Sequence, residues 1–339
     1  MNVSELHGTV WFRLLALAQG PAHAILLHGV AGLLKTELAR AFAAALLCES
    51  PRPEGACGTC AACNWFVQGN HPDFRFVRPD ADGSDDSESE AGETAKTKAS
   101  REIRIEQVRA LGDFLNVGAH RAGRRVVLIA PAEAMNRNTA NAILKALEEP
   151  NRGTVFVLVT DDFDSLLPTL KSRCQKVAVT APERRKALEW LASHAPGKEL
   201  SGALDRSGGA PGLALEIAQG AQGRLVDLLE RLLVRGFDSR RAAAEVERLI
   251  RSESDLEMPM VVAWIQRWLT DMALAADKLP CRYFPGLSTL GLRCDRELLF
   301  VNIKKSCEFK VLSRHTLNPR LFLESFFDQC VPALTLDKG

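Results

Sequence analysis

The sequence predicts an α/β protein: a mostly parallel sheet covered by helices, followed by a helical C-terminal half. Three observations carry that expectation. A short apolar run and four later runs rich in β-branched residues alternate with helical stretches up to residue 180; the first run leads through a glycine-containing turn into a helix; and no strand pattern follows residue 180. At 339 residues the chain exceeds a usual single domain, so two or three cores are expected.

The N-terminal stretch "MNVSELHGTVWFRLLALAQG" lacks the basic start and cleavage site of a signal peptide, and no apolar run reaches the roughly 18 residues of a membrane span. A cytoplasmic location is expected, with no membrane partner. The net charge of +1 advertises no nucleic acid by itself.

The first strand is "AILLH" (24 to 28), followed by "GVAGLLKT" (29 to 36) and a helix in which Leu38, Phe42 and Leu46 recur every four residues. A working phosphate loop reads G-x-x-x-x-G-K-[ST]: backbone N–H groups cradle phosphates, the lysine reaches the terminal ones, and the hydroxyl binds magnesium. Gly29, Gly32, Lys35 and Thr36 are in place, but Leu34 stands where the second required glycine belongs. A side chain there obstructs the approach of phosphate to backbone, so ATP binding is expected to be weak or absent.

Just beyond that helix, Cys48, Cys57, Cys60 and Cys63 form C-x8-C-x2-C-x2-C. Four close thiolates can complete a tetrahedral zinc site with no open position, which makes the metal structural. Two disulfides or unligated thiols are the competing readings. His71 is near in sequence and is expected not to be a ligand. Cys174, Cys281, Cys294, Cys307 and Cys330 are scattered and expected to be buried small hydrophobes.

The next strand is "FRFV" (74 to 77). Residues 78 to 102 are rich in Asp, Glu, Ser and Gly with no apolar period, which describes a mobile acidic loop or, alternatively, an acidic docking segment. The third strand, "RVVLIA" (125 to 130), continues into Ala130 and Pro131 where a hydrolytic enzyme needs acidic residues to hold magnesium and polarise water. Glu133 lies beyond the strand. No ATPase activity is expected.

The helix "NTANAILKALEE" stops at Pro150, and its Ala142, Ile143, Ala146 and Leu147 should pack on the sheet. Strands follow at "VFVLVT" (155 to 160) and "QKVAVT" (175 to 180), with "LLPTLKSRCQ" (166 to 175) overlapping the last. Further on, Trp264 and Trp268 lie one turn apart and read as core anchors, and Asn318-Pro319 opens a helix as N-cap and first residue.

Taken together, the altered phosphate loop, the four-cysteine insert, "NTANAILKALEEP" and "LLPTLKSRCQ" resemble the bacterial clamp-loader AAA+ family. The resemblance covers about residues 10 to 220 with specific motifs and the C-terminus more loosely. It implies an AAA+ RecA-like domain over 1–165, with zinc module 48–63 and acidic loop 78–102. A helical lid domain over 166–220 and an all-α collar domain for oligomerisation over 221–339 complete the expected order.

By the same resemblance the protein is a subunit of a five-membered ring, with delta and gamma/tau subunits as partners. The sliding clamp and primer-template DNA are met through the assembled DNA polymerase complex. Arg173, in the motif Ser172, Arg173, Cys174, is implied to reach the neighbouring subunit's ATP site as a guanidinium supplied in trans. Thr160 matches the position that senses the γ-phosphate in active relatives. Two other readings are an active ATPase motor, opposed by Leu34, Ala130 and Pro131, and a zinc-dependent nucleic-acid-binding regulator, opposed by the absence of basic residues from "CGTCAACNWF".

Overall fold

The computed structural model describes residues 1–79, 102–116, 123–196, 200–234, 237–253, 255–289, 292–293, 296–313, 315, 317–331 and 335–336. The chain divides into two compact units, Met1–Lys186 and Ala187–Gly339. Most of the expected acidic loop, residues 80 to 101, lies outside the described residues, as does Cys294.

In the first unit β1 (Ala24–His28), β2 (Phe74–Val77), β3 (Arg125–Ile129), β4 (Thr154–Thr160) and β5 (Gln175–Ala178) form one parallel sheet in the order β2-β3-β4-β1-β5. Parallel neighbours need crossover connections, and the helices that supply them bury both faces of the sheet. On one face Leu26, Val127, Ile129, Phe156 and Leu158 pack with Val108, Ile143, Leu147, Leu166 and Leu170. The alternate residues Ile25, Leu27, Val126, Leu128 and Val157 are as deeply buried. Every residue of β4 is buried, as a central strand requires.

The register sets up the functional region. His28 lies beside Thr160 and Ile129 beside Leu158, so the turns that leave β1, β3 and β4 emerge together at the carboxyl end of the sheet. Ligands of open α/β sheets bind at that end.

Several expectations are adjusted. In the helix Lys35–Leu47 the buried stripe runs through Leu38, Phe42 and Leu47, with Leu46 only half-buried. The helix Arg137–Glu148 buries Thr139, Ala140, Ile143 and Leu147, whereas Ala142 is exposed: the buried face is centred earlier than the apolar letters suggest. Cys174 and Cys330 are buried, but Cys281 is half-buried and Cys307 exposed.

Among its described residues the second unit has helices and one two-residue antiparallel ladder, between Leu292–Arg293 and Thr335–Leu336. Trp264 and Trp268 are fully buried in the helix Met258–Ala276, and the Trp264 indole donates to Gln222 Oε1 at 2.7 Å. They are core anchors, inaccessible to a stacking base. Phe322, Phe326 and Phe327 of the helix Pro319–Cys330 form an aromatic cluster with Phe309, joined to Trp268 through Phe237, and the first turn of that helix is capped by the Asn318 side chain. No helix among the described residues is long and apolar enough to cross a membrane.

Candidate functional site

The loop after β1 keeps the course of a phosphate loop, for reasons that lie within this chain. A Cβ on Gly29 would stand 2.3 Å from the Val179 carbonyl oxygen, so packing alone demands glycine there. Gly32 has φ of +80°, also glycine territory. Leu34 adopts the left-handed conformation, φ 58° and ψ 36°, that the missing glycine would take without strain. For a side-chain-bearing residue this costs about 1 kcal/mol. The loop is held in place by His7, whose Nε2 donates to Leu33 O at 2.9 Å.

Lys35 does not point into an open cradle. Its Nζ donates to Val30 O at 2.6 Å and pairs with Asp161 Oδ1 at 2.5 Å, leaving the side chain 2% exposed. Asp161 follows directly on Thr160, which is completely buried and accepts the Asp162 N–H at 3.0 Å through Oγ1. Glu133, in the short 3-10 turn Ala132–Ala134 after β3, accepts the Asp161 N–H at 2.9 Å. The one acidic residue near the position of the missing pair therefore braces the turn after β4. Burial, reinforced by the charges of Lys35 and Lys176, lowers the pKa of His28, whose ring lies 4.6 Å from that of Phe163.

Arg173 ends the helix Pro168–Arg173, with Ser172 exposed and Cys174 buried on either side. The guanidinium donates from Nε to Glu148 Oε1 at 2.7 Å, from Nη2 to the same oxygen, and from Nη1 to Thr169 O at 2.8 Å. Glu148, read from sequence as a solvated helix end, is the arginine's partner. Burial pushes the Cys174 thiol up to about 11, so it is an inert neighbour.

The four cysteines come together. Their sulfurs all lie within 4.8 Å of one another, with Cys48–Cys60 and Cys57–Cys63 at 3.9 Å and Cys48–Cys63 at 3.6 Å. A tetrahedron with metal–sulfur bonds of about 2.3 Å has edges of about 3.8 Å, so these residues can hold a metal ion. Gly58, at φ +77°, turns the chain between Cys57 and Cys60, and the Cys57 N–H donates to Cys48 Sγ at 3.2 Å. Hydrogen bonds from the Thr59 and Cys60 backbones bring the Cys57 thiol down to about 6, whereas burial raises the thiols of Cys48 and Cys63. His71 is not in the cluster; its Nδ1 accepts the Asp73 N–H. The insert is tied to the helix Gly8–Gln19 by the Trp11 indole, which donates to Pro53 O at 2.8 Å.

Sheet order, loop and insert define a phosphate-loop type α/β protein with a four-thiol cluster able to hold a metal and an altered nucleotide motif. Residues 13–183 match the family model described as DNA polymerase III, delta subunit. The chain is 38% identical over 263 residues to subunit delta' of DNA polymerase III from Pseudomonas aeruginosa, covering 76% of this chain and 74% of that one. It is 32% identical over 252 residues to the Haemophilus influenzae subunit delta', covering 74% and 70%. Against the Escherichia coli subunit delta' it is 32% identical over 200 residues, 58% of this chain and 55% of that one. This chain belongs to the DNA polymerase III subunit delta' family.

Proposed function

We propose that the chain is a non-motor subunit of the DNA polymerase III clamp loader, which helps place the sliding clamp on primed DNA and supplies Arg173 to a neighbouring subunit's ATP site. The observation that carries this reading is the contrast between two cations. Lys35, which would serve a nucleotide in this chain, is buried and paired inward, while Arg173 is 32% exposed at the end of its helix and held only by side-chain and carbonyl contacts that water reaches. Family membership supports the rest: a cytoplasmic protein with delta and gamma/tau subunits as partners, an AAA+ domain over 1–165, a lid over 166–220 and a collar over 221–339. Zinc is the metal proposed for Cys48, Cys57, Cys60 and Cys63, since four thiolates in a tetrahedron suit that ion and leave no reactive position.

The test is the DNA-dependent ATPase of the reconstituted loader. Arg173→Ala should leave the fold intact and lower turnover more than about tenfold, the order expected for an arginine acting in trans. Unchanged turnover would sink the role. The isolated chain should hydrolyse no ATP; robust hydrolysis abolished by Lys35→Ala would instead identify a motor.

A further inference from the structure

Lys35 is a deeply buried cation for which the proposed function has no use. An ammonium removed from water is unfavourable unless a counter-charge stands within hydrogen-bonding distance. In a working phosphate loop the bound polyphosphate provides that charge. Here the Asp161 carboxylate provides it at 2.5 Å, while Val30 O takes a second proton of the same ammonium at 2.6 Å.

The position of Asp161 is built into the main chain. The β1–β4 register sets Thr160 beside His28, at the mouth of the loop. Two hydrogen bonds then fix the turn, from the Asp161 N–H to Glu133 Oε1 and from the Asp162 N–H to Thr160 Oγ1. Asp161 remains 49% exposed, so one side of the carboxylate is hydrated while the other meets a lysine that is not.

We infer that Asp161 is a built-in substitute for the polyphosphate anion: its carboxylate neutralises Lys35 and keeps the loop closed on its own chain. A tethered carboxylate acts at an effective concentration that a free anion in solution does not match. The strained Leu34 adds a steric barrier to the approach of phosphate, and the absent acidic pair at Ala130 and Pro131 removes magnesium's hold. Of these three obstacles, Asp161 is the one that competes directly for the lysine. Taking its charge away should uncover a latent polyphosphate site. The inference concerns the chain by itself and stands or falls separately from the role of Arg173.

The experiment titrates inorganic pyrophosphate calorimetrically into the full chain and into Asp161→Asn. The wild type should show no saturable binding at millimolar ligand. Asp161→Asn should bind at least about tenfold more tightly, the equivalent of one additional hydrogen bond to a charged group. That gain should vanish in Asp161→Asn combined with Lys35→Met. Equal affinity in wild type and Asp161→Asn, or a gain that survives the loss of Lys35, overturns the inference.

Should Asp161→Asn fail to fold, acylation of the wild-type chain decides the matter by peptide mapping. The Lys35 amine should react at least about tenfold more slowly than the exposed Lys145, because it is reachable only through local opening, and pyrophosphate should not change its rate. Reaction at the rate of Lys145, or protection by pyrophosphate, overturns the inference.

Discussion

Glu148 holds Arg173 through a single carboxylate oxygen that accepts from both Nε and Nη2, while Nη1 turns to Thr169 O. All three guanidinium nitrogens are thus engaged within the chain. The pair is 32% and 48% exposed, and at that exposure an ion pair contributes only about 0–1 kcal/mol. If Arg173 serves a neighbouring subunit as proposed, it is kept in one rotamer by a contact that is easily exchanged for a phosphate. Glu148→Ala should change thermal stability by no more than about 1 kcal/mol and leave the loader's ATPase at or above its wild-type rate. A loss as deep as that of Arg173→Ala would mean that Glu148 is itself required for turnover.

The four-thiol site should bind about one zinc per chain. Cys60→Ser combined with Cys63→Ser should abolish the bound metal and open the insert to proteolysis between residues 49 and 62. Elemental analysis paired with limited digestion checks both outcomes. Metal retained at full occupancy in the double variant would contradict the ligand set.

Leu34→Gly relieves a left-handed residue worth about 1 kcal/mol but adds backbone entropy of about 0.5–1 kcal/mol to the unfolded chain. Stability should change little by chemical denaturation. The variant should still turn over no ATP, because Lys35 remains paired with Asp161 and the strand end still carries Ala130 and Pro131. Measurable turnover would place the whole defect in Leu34.

His7 and His28 both have lowered pKa values, burial being the first cause for each, so the folded chain favours their neutral forms. The unfolded chain takes up protons first as pH falls through the ordinary value of 6.5. Their contribution is present above that pH and is lost below it. Melting temperature should fall between about pH 7.5 and 5.5, less steeply in His7→Asn, which keeps a donor for Leu33 O. An equally steep fall in the variant would remove His7 as a cause.

Asp271 is fully buried in the helix Met258–Ala276 and accepts backbone N–H groups from Arg282 at 3.0 Å, Tyr283 at 2.6 Å and Phe284 at 2.7 Å. Asp271→Asn replaces one acceptor oxygen by a donor facing an N–H, which should destabilise the chain by about 3 kcal/mol. Denaturant unfolding measures it, and a change below about 1 kcal/mol would show that the loop can satisfy its N–H groups elsewhere.

The five strands were legible as short apolar runs, β3 and β4 being the richest in β-branched residues; the last is shorter than the pattern, ending at Ala178 once it leaves β1. The thiol cluster was legible from spacing alone, since C-x2-C turns bring sulfurs together locally. Asp161 was not. A lone aspartate after a strand reads as a turn residue, and its meeting with Lys35 depends on the pairing of β1 with β4, two segments far apart in the chain. Asp271 was hidden similarly: its partners lie beyond the helix end, in a loop without periodicity. Glu148 also looked ordinary, because its role comes from the helix Pro168–Arg173 returning to its side.

Gly29 has a longer reach than its one residue suggests. With the Val179 carbonyl 2.3 Å from where its Cβ would be, it must remain glycine whether or not any nucleotide ever visits the loop. A letter of a ligand-binding motif can in this way be held by packing alone, here by the residue that follows β5. Searches that count such letters will group chains that use the ligand with chains that have only inherited the architecture around it.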